Sequence, residues 1–586
     1  MDKKRIGLVA LGVFVVLAVA GGAAWFGPWR NNEDGPRSGD WADQVARDRA
    51  AEAAKRAKLL GAADSFALAW ENGTLAKIGY SKGSGDVAGT TALISANLTP
   101  GAKTAPAVAI TKVDRAVDSG KRAVAVATVT WKLDPTHTWS YETRFRLVQT
   151  GGKWLVQWTP SVVEPSLKPG EGLRAERVGS TRGQIVDTTG RALVRAKGSV
   201  VVGSPGLPAN YARAVLGATG TATAAMASEG RVVVGDITGL SGIELSQNQV
   251  LAGSPAVTVQ AVSWTPPATS RDLKLFPAVP GRNVTVTLDQ RVQALADATM
   301  ANTATPSALV AIRVSTGDVL AVANGPSRFS SYNRAMIGKY PPGSTFKVAT
   351  TLGLLVNGLT PDTVVNCPAT VTVGKVFRNA EGEVLGAVPF RRNFADSCTP
   401  AFVGQSKNIT PDQLTFTAAL LGYRKLDVGA PVFGGSVPAT GDRTEHAANM
   451  IGQGKIEASP FAVALASASV ANGSSLNPRL VIDGANPNPK PGPALPPAQV
   501  AQLRELMRGV VTGGTGSKLA GIPGGDVFGK TGTAEFGTSI PLKTHAWFTG
   551  YQGDIAFAVL VEDAGFGGAV AAPLAAYFLT ALASGN

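Results

Sequence analysis

Histidine and cysteine are nearly missing from this chain, with 3 His and 2 Cys in 586 residues. Zinc sites and larger metal clusters draw on these two residue types, so no metal site is expected; no cofactor is expected either. His137, His446 and His545 stand far apart in the sequence. A Ser-His-Asp relay stays open on these residues, but the lysine chemistry described below makes one unnecessary. No run of Lys and Arg interleaves with aromatic residues as a nucleic-acid groove would require, so nucleic acid is not an expected partner. The net charge of +14 is dispersed instead, the pattern of a solvated surface that also suits polyanions such as acidic lipid headgroups. Internal repeats are not visible. Core-forming material is ample: 44% of residues are hydrophobic, and the length suggests three or more units.

The N-terminus sets the expected location. After Lys3, Lys4 and Arg5, the stretch from Ile6 to Phe26 carries no charge and is about long enough to span a bilayer as a helix. The positive flank would stay in the cytoplasm, which puts everything after Trp29 outside. Ala18, Val19 and Ala20 would alternatively suit a cleaved signal peptide, but the apolar residues continue to Phe26 and favour an anchor. An extracytoplasmic setting permits a disulfide between Cys367 and Cys398, with two buried free thiols as the other possibility.

Two motifs carry the chemistry. In YPPGSTFK, Tyr340 to Lys347, the residues Pro341, Pro342 and Gly343 break the preceding structure. Helical spacing of apolar residues then runs to Gly358, placing Ser344 at a helix N-terminus with Lys347 on the same face. A serine hydroxyl becomes a nucleophile when a neighbour takes its proton, and a lysine can do so only when neutral. Burial, the helix dipole and a second cation each push a lysine toward neutrality, and Lys530 is the candidate second cation. That residue opens the other motif, GKTGTAE from Gly529 to Glu535. Its glycine-rich flanks and short β-compatible run suggest an exposed strand on which Gly532 lets a substrate backbone approach closely. The backbone N–H groups of Ser344 and Thr533 are candidate oxyanion donors.

Ser-Xaa-Xaa-Lys opening a helix, with Lys-Thr-Gly on a downstream strand, resembles the class B penicillin-binding proteins, the D,D-transpeptidases that cross-link peptidoglycan. That family's third motif, Ser-Xaa-Asn, finds its counterpart in FADSCTPAF, where Ser397 and Cys398 match and Thr399 stands in place of asparagine. A literal match at Ser406, Lys407 and Asn408 is the rival; it lies before a helix, where the family has a surface connection. The resemblance implies Ser344 as nucleophile, Lys347 as general base, Ser397 as proton shuttle, and Lys530 with Thr531 anchoring the substrate carboxylate. Thr399, Gly532 and Thr533 complete the substrate-binding set. It also implies peptidoglycan stem peptides as substrates, β-lactams as acylating inhibitors, and a glycan-polymerising membrane partner, since no glycosyltransferase domain is apparent. A D,D-carboxypeptidase or β-lactamase-like hydrolase is one alternative; a catalytically impaired wall scaffold or β-lactam sensor is the other.

The resemblance extends along a multidomain α+β chain. Residues 1–30 form the cytoplasmic tip and anchor, and 31–57 a linker running into a helix. Residues 58–165 resemble the NTF2-like domain that precedes the methicillin-resistance type of class B protein, with strands expected in RAVAVATVTWKL, WSYETRFRLVQT and GKWLVQWTP. Residues 166–280 resemble the β-rich dimerisation or pedestal domain, whose opening signature is fitted by Arg182, Gly183, Ile185, Asp187 and Gly190. Arg182 is read as the partner of a buried carboxylate. The transpeptidase unit, with a mainly antiparallel sheet, occupies 281–586; its Pro-rich loop at Asn486–Pro497 interrupts it. Gly452 and Gly454 read as a structural turn, and Trp547 and Phe548 as core.

Overall fold

The computed structural model describes residues 38–585 apart from short stretches at 99–104, 116–119, 198–199, 205–206, 208–211, 230–231, 330, 380–381, 440–441 and 483–490. The expected membrane anchor, the linker at Arg30–Arg37 and the first part of the Pro-rich loop lie outside the described residues. No described helix is long and apolar enough to cross a membrane.

The first helix, α1 (Ser38–Glu71), is rich in alanine and charged helix formers, and only its second half carries an apolar stripe. Leu59, Ala63, Phe66 and Trp70 recur at helical spacing and are buried. They cover an antiparallel meander of β1 (Ala107–Arg115), β2 (Arg122–Lys132), β3 (Thr138–Thr150) and β4 (Lys153–Gln157), which lie in that order. The last three coincide with the strands expected from alternation. β1 was not expected: Lys112 and Asp114 interrupt its apolar pattern, and in the fold they pair as an ion pair on its exposed face.

A second antiparallel sheet has the order β7-β6-β5, built from β5 (Glu171–Val178), β6 (Ala256–Ser263) and β7 (Ser270–Phe276). Leu173, Val257, Val259 and Ala261 from this sheet join the same hydrophobic core as Trp131 and Phe145. Ile185, Leu193, Val215 and Leu251 belong instead to the core of the downstream unit. Arg182 pairs with Glu244 at 2.6 Å, both nearly inaccessible to solvent.

Downstream, α2 (Gln290–Ala301) leads to β8 (Ser307–Arg313) and β9 (Val319–Gly325). A 3-10 turn at Gly343–Phe346 runs into α3 (Lys347–Val356). There follow β10 (Val364–Cys367), the hairpin of β11 (Thr370–Val373) and β12 (Lys375–Arg378), and β13 (Gly386–Pro389). After the short helix α4 (Thr399–Gly404) comes the long buried helix α5 (Pro460–Asn472). The chain ends in β14 (Val527–Phe536), β15 (Lys543–Gln552), β16 (Ile555–Val561) and α6 (Gly567–Ala583).

Five of these strands form one antiparallel sheet in the order β9-β8-β16-β15-β14. The strand period of two sends alternate side chains of its inner strands into different cores. In β8, Ala308, Val310 and Ile312 face the core that contains α5, while Leu309 and Ala311 face the core built from α2 and α6. The sheet is covered on both faces, which leaves the free edge of β14 as its open side.

Candidate active site

The turn before α3 is locked from two directions. Gly343 has φ of +51°, and a Cβ there would stand 2.7 Å from the Thr533 carbonyl oxygen. Its N–H donates to Gly452 C=O at 3.0 Å, and a Cβ on Gly452 would in turn stand 2.1 Å from Gly343 C=O. Thr345 Oγ1 donates back to Pro342 C=O at 2.7 Å, and Phe346 fills core. Ser344 is left half-buried at the wall of a cleft of about 450 Å³, its hydroxyl without a hydrogen-bond partner among the described residues. The Gly-Gln-Gly turn, read from sequence as structural, thus buttresses this serine, and Gln453 and Gly454 also line the cleft.

Lys347 opens α3 and is completely buried. Its Nζ donates to Ser397 C=O at 2.7 Å and lies 3.4 Å from Ser397 Oγ and 3.3 Å from Thr399 Oγ1. Burial above all, and then the charge of Lys530, push its ammonium well below the usual lysine range. Ser397 has φ of +63°, a left-handed conformation that costs a non-glycine residue about 1–2 kcal/mol. That conformation accompanies the inward turn of its carbonyl onto Lys347. Cys398 is joined to Cys367 at the end of β10 by a disulfide, Cα–Cα 6.2 Å. Ser397 and Thr399 line the cleft with Ser344. Ser406–Asn408 form a separate 3-10 turn, where Asn408 Nδ2 bonds Gln405 and the Asn408 carbonyl accepts from Asn357.

On the opposite wall, β14 is the edge strand. Lys530 is fully buried beneath it, donating to Thr531 C=O at 3.1 Å with Phe394 under its ammonium. Burial pushes Lys530 down to about 7, against the opposing pull of Asp396. Neither lysine faces the cleft; Thr531, Gly532 and Thr533 do. Thr531 Oγ1 is 2.6 Å from Thr515 Oγ1. Gly532 is also constrained from within the chain: a Cβ there would stand 2.8 Å from Thr345 Cγ2 and 3.1 Å from Pro342 C=O. The carbonyl of Thr533 points away from β15 toward Gly343, and the N–H of the same strand residue shares that edge.

Several cleft residues carry no motif. Arg378, Asn379 and Glu383 come from the β11–β12 hairpin and the segment after it, and Asp396 from the loop before Ser397. Burial raises the Asp396 carboxyl, with Arg392 beside it pulling the other way. None of the three histidines lines the cleft: His137 is bonded to Asp134, His446 to the carbonyls of Ser406 and Ile409, and His545 stacks on Phe536.

A buried lysine held well below the usual lysine range, one turn along the chain from an unbonded serine that faces a free strand edge, can run acyl transfer on an extended peptide. Comparison with known proteins agrees. Residues 307–580 match the penicillin binding protein transpeptidase domain. Peptidoglycan D,D-transpeptidase PbpA of Mycobacterium tuberculosis is 31% identical over 363 residues, covering 52% of this chain and 73% of that protein. The solved structure of Pseudomonas aeruginosa PBP2 in complex with WCK 5153 superposes with a TM-score of 0.58 at 25% identity, over 70% of this chain and 96% of that one. A chain from a peptidoglycan synthase complex that coordinates polymerization and crosslinking has a TM-score of 0.58 at 23% identity, over 73% and 94% of the two chains. This chain belongs to the class B penicillin-binding proteins and is a serine-type peptidoglycan D,D-transpeptidase.

Proposed function

We propose that the transpeptidase works through an acyl-enzyme on Ser344. Ser344 Oγ attacks the penultimate D-alanine carbonyl of a stem peptide while neutral Lys347 takes its proton. The tetrahedral oxyanion is held by the N–H groups of Ser344 and Thr533. Ser397 relays the proton to the departing amine, the amide C–N bond breaks, and terminal D-alanine leaves. An amine from a neighbouring strand then attacks the ester, forming the cross-link and restoring the serine. A β-lactam follows the same first step, with Ser344 adding to the lactam carbonyl and opening the ring.

The carrying observation is Lys347. It is fully buried, has no carboxylate partner among the described residues, and shares the turn with a serine whose hydroxyl is free. Lys530, inaccessible itself, holds the substrate carboxylate by its potential from beneath, with Thr531 and Thr533 making the contacts and Thr399 and Gly532 completing the walls. The expected test is intact-mass detection of one penicillin adduct on the purified protein, lost in Ser344→Ala while the unfolding transition is unchanged. Stoichiometric labelling of Ser344→Ala would sink the assignment. A synthetic stem peptide offered with an amine acceptor separates transfer from simple hydrolysis.

In the same reading residues 1–30 anchor the chain in the membrane, 31–57 are a linker and the start of a helix, and 58–165 form an NTF2-like spacer. Residues 166–280 form the pedestal and 281–586 the catalytic unit. The catalytic unit lies outside the cytoplasm, and a glycan-polymerising membrane protein supplies the strands. The likeness to a member of a peptidoglycan synthase complex supports that partner.

A further inference from the structure

Thr399 replaces the family's asparagine with a shorter side chain whose hydroxyl sits directly on Cβ. A β-branched side chain is stiff at χ1, so the position of that hydroxyl follows the backbone of residue 399 closely. What fixes that backbone is therefore a question about the Lys347 environment.

Thr399 is the first residue of α4, where helix N–H groups have no partner within the helix. Pro400 has no N–H, and the Ala401 N–H turns to Cys398 Sγ at 3.4 Å. The Thr399 N–H goes outside the helix, to Oδ1 of Asn379 at 2.6 Å. Asn379 follows the β11–β12 hairpin, is 5% exposed, and lines the cleft. Its Nδ2 donates to Glu383 C=O at 2.7 Å and lies 3.5 Å from Cys367 Sγ and 3.7 Å from Cys398 Sγ. Both capacities of its amide are thus committed, one to Thr399 and the other to Glu383 of its own loop. The hairpin is seated on its other side at Gly374, where a Cβ would stand 1.7 Å from Thr444 Oγ1.

We propose that Asn379 is a positioning residue for acyl transfer: by holding the Thr399 peptide it keeps Thr399 Oγ1 on Lys347 Nζ. This rests on the reading of Ser344 and Lys347 given above. An asparagine outside the third motif then supplies part of the order that the motif's own asparagine would give. Because Asn379 acts through Thr399, its effect belongs to the chemical step and vanishes once the Thr399 hydroxyl is gone.

The test is a double-mutant cycle on the full chain, with a fluorescent penicillin resolved into binding and acylation. Asn379→Ala is expected to slow the acylation rate constant about tenfold while the dissociation constant before acylation stays within about twofold. Thr399→Ala is expected to slow it by a similar factor, and the double variant to be no slower than the slower single one. Multiplicative effects of the two alanines, or an Asn379→Ala variant at the parent rate, would each overturn the inference. If the parent chain forms no adduct on Ser344, the reading of the nucleophile fails and the inference with it. If it forms one and the effects multiply, the inference alone fails.

Discussion

Lysine 347 decides the pH behaviour. It is active only when neutral, and burial with the nearby Lys530 charge depresses its pKa, so the rate rises as pH climbs through that depressed value. Lys530, pushed down by burial to about 7, loses its proton near neutrality, and with it the positive potential under the cleft. Acylation efficiency is therefore expected to have an acid limb set by Lys347 and an alkaline limb, near 7 in the free enzyme, set by Lys530. Lys530→Met removes the repulsion, so the Lys347 pKa rises: the acid limb moves to higher pH and the alkaline limb disappears. Stopped-flow acylation rates from about pH 5 to 9 check both signs, and an acid limb that moved downward would contradict the pairing. Lys347→Arg keeps a charge that cannot be shed and is expected to slow acylation by about two to four orders of magnitude. Ser397→Ala is expected to impair acylation and Asn408→Ala to leave it unchanged, in keeping with the cleft's lining.

The nucleophile turn gains its rigidity from the Gly-Gln-Gly element. Gly452→Ala puts a Cβ 2.1 Å from Gly343 C=O at a φ of +70°. Gly521→Ala has φ of +72° and open space around its Cβ, so it measures the strain alone. Gly521→Ala is expected to cost about 1 kcal/mol in denaturant unfolding; Gly452→Ala is expected to cost more and also to slow acylation. Equal losses in both variants would mean that the contact with Gly343 is unimportant. The elements bearing these residues were legible in sequence because each carries a local signal: proline and glycine before Ser344, alternation in β2 to β4, glycines around Gly452. The β11–β12 hairpin, Asn379, Glu383 and Asp396 were not legible. Their place in the cleft comes from contacts across the fold, such as Asn379 on Thr399, and no periodicity announces such a contact. The Cys367–Cys398 pairing was open for the same reason, since two cysteines fix a count but not a distance. Gly532 was legible as a close-approach glycine, and the chain's own turn at Thr345 is one group that approaches it.

At the scale of the molecule, the division expected near residue 165 marks a change of sheet within a continuous core. Apolar residues of β5 and β6 complete the core that begins with Phe66 and Trp131, while Ile185, Val215 and Leu251 complete the core of the catalytic unit. The middle segment is thus shared between two cores. A polar tie reinforces the upstream one: Arg177 of β5 lies 3.5 Å from Asp134, whose side chain is fully buried and also bonded to His137. Burial alone would raise the Asp134 carboxyl, but bonds from His137 and Thr136, with the Arg177 charge, hold it below the usual range. Its stabilising effect is present above the unfolded pKa, near 4, and is lost as pH falls through the lower folded value. A chain beginning at Ser166 would strip Val257, Val259, Ala261 and Leu173 of their partners and present them to water as one apolar face. Such a truncation is expected to bind a hydrophobic dye and to self-associate, while still forming the penicillin adduct at Ser344, because the catalytic core lies on the other side of the shared segment. A chain beginning at Gln184 removes β5 but leaves β6 and β7, so it is expected to aggregate at least as strongly. Light scattering, dye binding and adduct mass on the two truncations decide the matter. A monomeric, dye-silent fragment from Ser166 would show that the middle segment folds on its own, and that the shared core contributes little to holding it.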